Sequence, residues 1–183
     1  MIVRAAGDER FKRAPKRISA QVAEVSWSGK PVTLALPTTY MNESGGPVAG
    51  LVSYWDVDPE HLIVVHDDID LPFGRLRVQS DRGPGGHNGV ASIVKSLGSR
   101  EFWRLKVGVG RPPGRMDPAD YVLRRFATTE RGDVESMVVE AADVLRVFVE
   151  SGGEAAQQRG VRQRSAEVLQ RQLGRRHGAQ PLR

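Results

Sequence analysis

Cysteine is absent from the 183-residue sequence, and with it go disulfide bridges, thiolate zinc centres and cysteine nucleophiles. Long apolar runs are absent too. No stretch approaches the roughly 20 residues that a membrane helix requires. Residues 1–17 mix Arg4, Asp8, Glu9, Arg10, Lys12 and Arg13 with no apolar stretch behind them, which is not the pattern of a secretory signal. A cytoplasmic protein without a membrane partner is the expectation. Aromatic residues are few, at 6%, but 39% hydrophobic and 27% charged residues place the chain among ordinary globular proteins. A chain of this length buries roughly 70% of the surface its unfolded form exposes, so one core suffices without disulfides or a structural metal. The expected organisation is a single α/β domain over residues 1–158 followed by a basic tail over 159–183.

The formal charge of +5 is unevenly spread. Residues 1–20 carry +4 and residues 155–183 carry +6, which leaves −5 on residues 21–154. Basic ends on an acidic body fit either solvated chain ends or contact with a polyanion such as RNA.

Strand signals begin with Val32-Thr33-Leu34-Ala35-Leu36, bounded by Gly29 and Pro37. Leu62-Ile63-Val64-Val65 is continuously apolar, the pattern of a strand covered on both faces, and it runs into Asp67, Asp68 and Asp70. Arg75–Val78 and Leu105–Val109 alternate as half-exposed strands do, which predicts a peripheral position for both. Helical spacing marks 46–55, then 88–97 with Gly98 as its stop, then 129–150 with a core stripe of Val134, Met137, Val138, Ala141, Leu145 and Phe148. Strands alternating with helices predict a sheet between helical layers.

Three polar clusters stand at the ends of these elements. The first, Pro37-Thr38-Thr39-Tyr40-Met41-Asn42-Glu43-Ser44-Gly45, leaves a strand and opens a helix, so Asn42 or Ser44 is a candidate cap as well as a candidate ligand contact. The second, His66-Asp67-Asp68-Ile69-Asp70, puts three carboxylates close together, which is costly unless cations, a histidine or hydrogen-bond donors lie beside them. A magnesium or zinc ion would also satisfy them, but His61, His66, His87 and His177 show no ligand spacing such as HxxxH or HxH. A carboxylate orienting a histidine for general-base work fits at least as well.

The third cluster, Gly83-Pro84-Gly85-Gly86-His87-Asn88-Gly89, runs straight into a helix. Such a loop lets backbone N–H groups approach a phosphate or a developing oxyanion; it serves equally as a turn and cap with a surface histidine. No GxxxxGK[ST] nucleotide loop is present.

Tyr40–Gly45, Asp67-Asp68-Ile69-Asp70-Leu71-Pro72 with Gly74, and Gly85–Gly89, in this order, resemble the bacterial peptidyl-tRNA hydrolase family. Val107–Pro112 and Asp120-Tyr121-Val122-Leu123 agree, and the resemblance runs from about Phe11 to Gln158. It implies a monomeric, single-domain three-layer α/β sandwich with a mixed β-sheet between helices, working without cofactor or metal. The activity it implies is hydrolysis of the ester between a peptide and the 3′-terminal ribose of tRNA. The same resemblance implies that Asp67 is the catalytic carboxylate, holding a histidine in its basic tautomer. Asn88 would bind substrate and stabilise the tetrahedral oxyanion, Asn42 with Tyr40 and Met41 would wall the site for the peptide and the tRNA end, and His87 would be a further substrate contact. Those roles suit ester hydrolysis, which needs a base for water, an orienter for the base and donors for the oxyanion.

Family members open with a strand, a Gly-Asn-Pro-Gly loop and an Arg-His-Asn segment that supplies the base, and no residues of this sequence are expected to correspond to them. Two expectations follow: a hydrolase whose start lies upstream of Met1, or a shortened relative that binds tRNA or another RNA without hydrolysing it. None of the four histidines is expected to replace the base. His66, next to Asp67 in a strand, faces the other side; His61 lies at the far strand end, His87 in the glycine-rich loop and His177 in the tail. Without a central strand, its two neighbours are expected to keep unpaired edges.

Overall fold

The computed structural model of the protein describes Ile2 and residues 11–159; the basic tail from 160 onward, His177 included, lies outside them. The chain opens with β1 (Lys12–Arg13), β2 (Ala20–Trp27) and β3 (Lys30–Pro37). Ser28 and Gly29 both take positive φ, 51° and 78°, the two-residue turn whose twist suits a hairpin, and β2 and β3 pair antiparallel from Trp27↔Lys30 to Ala20↔Pro37. β2 is not among the strands the sequence announces, because Gln21, Glu24 and Ser26 break its apolar signal. The hairpin makes it a strand by pairing it along its whole length.

Helix α1 (Gly45–Trp55) follows, then β4 (Ile63–Asp68), β5 (Leu76–Gln79), α2 (Asn88–Leu97), β6 (Trp103–Gly108), α3 (Pro118–Val122) and α4 (Arg131–Ser151). β6 is central in a mixed sheet of order β4-β6-β5, parallel to β4 and antiparallel to β5. On one face Trp103, Leu105 and Val107 pack with Val134, Met137, Ala141, Leu145 and Phe148 of α4. On the other, Val64 and Phe102 meet Val90 and Ile93 of α2. These are the three layers expected, with helices on both sides of a mixed sheet. β1-β2-β3 forms a second, antiparallel sheet among the described residues, with a small core of Ala14, Ala20, Val22 and Leu51.

Two strand expectations need correction. β4 meets helices on both faces as its apolar run implies, yet it is an edge strand among the described residues, and Ile63, Val64 and Val65 are only half-buried. β6 is the centre of the sheet, not its periphery. Its alternation is real, but the polar positions Arg104 and Lys106 face the α2 side and the loops described next, where solvent would have been the simpler reading. β5 is an edge strand, as expected.

Candidate functional site

The loop after β3 is seated on the first turns of α2. Met41–Glu43 form a short 3-10 turn, closed by Ser44 Oγ, which donates to Met41 O at 2.8 Å. Ser44 stands at the N-cap position of α1, as one of the two expected candidates, but its side chain turns back to Met41 and makes no capping hydrogen bond; Asn42 lies before the cap. The Gly45 N–H donates to Ser92 Oγ of α2 at 3.0 Å, and a Cβ on Gly45 would stand 2.2 Å from Ser92 O. A Cβ on Gly89 would likewise lie 2.8 Å from Met41 Sδ. These close approaches hold Tyr40, Met41 and Asn42, all exposed, beside the start of α2.

At the end of β4 each carboxylate has its own partner, a cation for Asp68 and Asp70 and a histidine for Asp67. Asp68 pairs with Lys106 and also accepts the Asp70 N–H at 2.8 Å. Burial pushes Asp68 up, and these donors more than offset it, leaving its pKa below the usual value. Asp70 accepts from Arg111 Nη2 at 2.7 Å and Nε at 3.1 Å. Asp67 Oδ1 lies 3.2 Å from His87 Nε2, and that hydrogen bond, opposed by burial, holds the Asp67 carboxyl below its ordinary pKa. The mutual repulsion anticipated from the sequence is thus relieved by three different partners, which draw the three carboxylates apart. Among the described residues the one set of three metal-ligating groups within reach of each other is Asp58, Glu60 and His61, all exposed on the surface.

The geometry fixes the tautomers of two histidines. His87 is the N-cap of α2: its Nδ1 accepts the Val90 N–H at 3.1 Å, so Nδ1 is unprotonated and the proton sits on Nε2, donated to Asp67. Both nitrogens are committed. His66 Nδ1 lies 2.7 Å from Asp67 O, and since a carbonyl only accepts, Nδ1 carries the proton and Nε2 keeps a bare lone pair. That Nε2 is buried without a partner among the described residues. Burial, with the neighbouring His87, pushes the His66 pKa down to about 4. Strand alternation does turn His66 from the Asp67 side, but its ring stands edge-on to that of His87 with centroids 4.6 Å apart. It is therefore nearer the site than alternation alone suggests.

Of the residues singled out from the sequence, Asp67 and His87 are in direct contact, Met41 packs at Gly89, and Tyr40, Asn42 and Asn88 stand exposed at the rim. The carboxamides of Asn42 and Asn88 have no partner among the described residues, so both are available to a ligand. Lys106 and Arg104 were not singled out, and the signal that points to them is two cations at alternate positions of an otherwise apolar strand. Chemically, the cluster offers an ionised carboxylate bonded to an imidazole, a helix N-terminus and two free amides, a set suited to an acyl carbon that passes through an oxyanion.

The family model for peptidyl-tRNA hydrolase matches residues 2–167. The peptidyl-tRNA hydrolase of Kineococcus radiotolerans is 53% identical over 156 residues, covering 81% of this chain and 78% of the relative. That of Rhodococcus erythropolis is 49% identical over 144 residues, covering 79% and 76%. The crystal structure of peptidyl-tRNA hydrolase from Acinetobacter baumannii superposes with a TM-score of 0.79 at 27% identity, over 87% of this chain and 82% of that one.

Proposed function

The chain belongs to the peptidyl-tRNA hydrolase family, and from that premise we propose that it cleaves the ester between a peptide and the 3′-terminal ribose of tRNA where its three loops meet. The observation that carries the reading is the Asp67–His87 contact beside the free carboxamides of Asn42 and Asn88. In the proposed reaction water adds to the ester carbonyl and the negative charge on its oxygen is met by the Asn88 amide. The C–O bond to the ribose then breaks as the leaving 3′ oxygen takes up one of the water's two protons and the other is released to solvent, giving a peptide carboxylate and a tRNA 3′-hydroxyl. Asp67 is the catalytic carboxylate, His87 a substrate contact, and Tyr40, Met41 and Asn42 the wall against which the peptide and the tRNA end lie. The partner is tRNA, approached through its phosphates by the basic chain ends and by Arg111 and Arg115. A cytoplasmic monomer working without metal or cofactor completes the proposal.

One observation favours a second reading, an RNA-binding relative that does not hydrolyse. Neither histidine beside Asp67 joins a free lone pair to solvent access: both nitrogens of His87 are bonded, and the free Nε2 of His66 is buried. An N-acylated aminoacyl-tRNA separates the two. Hydrolysis gives N-acyl amino acid and tRNA with an intact 3′-hydroxyl, at a rate unchanged by EDTA. Binding without release supports the second reading, and neither binding nor release overturns both. Loss of the rate in EDTA would bring a metal back.

A further inference from the structure

Arg104 lies in the central strand with 1% of its surface exposed. It is a cation inside the sheet, and no carboxylate among the described residues is within ion-pair distance of it. Its Nη1 donates to Gly83 O at 2.8 Å and its Nη2 to Arg82 O at 2.5 Å, while the Phe102 ring lies 5.8 Å from Cζ. Burial pushes the guanidinium below its ordinary pKa, opposed by the charge of Asp81. A buried charge is costly, and an apolar residue of similar volume often serves stability as well. The place to look for its use is therefore where its hydrogen bonds end.

They end at the root of the glycine-rich loop. Gly83 is followed by Pro84, whose carbonyl accepts the His87 N–H at 3.2 Å. Between those points stand Gly85 and Gly86, with φ of 61° and 80°, left-handed backbone that glycine adopts without strain. Two adjacent glycines are a free joint, and a joint places its far side only if both ends are held. The far end is held by His87, which caps α2 and bonds Asp67. The near end is held by Arg104.

We propose that Arg104 is the positioning residue of this loop: its guanidinium clamps the Arg82 and Gly83 carbonyls and so fixes where His87 and Asn88 stand against Asp67. The catalytic meaning of the clamp rests on the hydrolase reading; the clamp itself rests on the hydrogen bonds. A planar fork spans two carbonyls in a way that a lysine ammonium, a single point on a flexible stem, does not. The charge can therefore be kept while the clamp is lost.

The experiment compares the full chain with Arg104→Lys by NMR, reading backbone amide exchange and the ¹⁵N shifts of the His87 ring. The parent is expected to show His87 as a single Nε2–H tautomer. In Arg104→Lys, exchange over residues 85–89 is expected to speed by about tenfold or more while α4 amides keep their protection, and the His87 ring nitrogens move toward averaged tautomer values. Arg104→Gln, able to donate to one carbonyl, should fall between the two. Unchanged exchange and ring shifts in the folded variant would overturn the proposal. So would an equal loss of protection in α4, or failure of both variants to fold, since Arg104 would then support the sheet at large. If the protein proved unable to release peptide, the hydrolase reading would fall while these signals still decided the clamp.

Discussion

At the scale of the residue, protonation is decided by what each ring touches. His66 is neutral in the fold because burial lowers its pKa from the usual 6.5 to about 4. The unfolded chain binds that proton first as pH falls. The fold should therefore lose stability from about pH 6.5 down to about 4, by up to about 3 kcal/mol, and the slope should flatten below. Asp67 and Asp68, whose pKa values are depressed, add stability that is full above the unfolded value of 3.8 and is lost only in more acid solution. Denaturant melts across pH should show the first slope in the parent and not in His66→Asn, whose amide can replace the Nδ1 donor. An identical slope in the variant would assign it elsewhere. His87 gives a second expectation. If it contacts substrate and is not the base, His87→Asn, which keeps a capping side chain, should raise KM and lower kcat by less than about tenfold. Steady-state kinetics check this, and a collapse of kcat at unchanged KM would make His87 the base. The identity of this pair was half legible. The sequence singles out Asp67 and His87 separately, but nothing in a linear chain says that the loop histidine turns its Nε2 onto that carboxylate.

At the scale of the element, the helices were the most readable part, because α2 and α4 carry their apolar residues at helical spacing and α2 stops at Gly98, whose N–H bonds Val94 O. Strands were less so. The polar face of β6 looks like a solvent face in sequence, since alternation reports that two faces differ and not what covers the second. β2 was hidden for a related reason, its pairing being set by the turn at Ser28 and Gly29 more than by its own residues. The contact that matters most between elements is carried by a residue without a side chain. Gly45 lets α1 approach α2 so closely that a Cβ would meet Ser92 O at 2.2 Å, and this sets the Tyr40–Asn42 loop beside His87. Gly45→Ala should cost about 1–3 kcal/mol by overpacking. It should also weaken substrate binding by moving that loop, as read by thermal melting and KM together. A variant as stable and as tight-binding as the parent would show that the two helices can separate without consequence.

At the scale of the whole molecule, charge and composition foretell a single hydrophobic domain with basic ends, and the described residues bear out an α/β body with a mixed sheet between helices. They also divide the strands into two sheets, which no local pattern announces because strand neighbours are chosen by the assembled chain. With +4 on residues 1–20 and +6 on 155–183, binding of tRNA should weaken steeply as salt rises, the log–log slope reporting the phosphates contacted. Removing residues 160–183 should lower that slope without altering the rate at saturating substrate, and an unchanged dissociation constant would exclude the tail from binding. The account depends above all on Asp67 as the carboxylate of an ester hydrolase. The most direct measurement is peptide release from N-acylated aminoacyl-tRNA by the protein, beside its Asp67→Asn variant. The account expects turnover in the variant to fall by roughly 10- to 10⁴-fold while the fold is kept; release at the parent's rate by Asp67→Asn would contradict it.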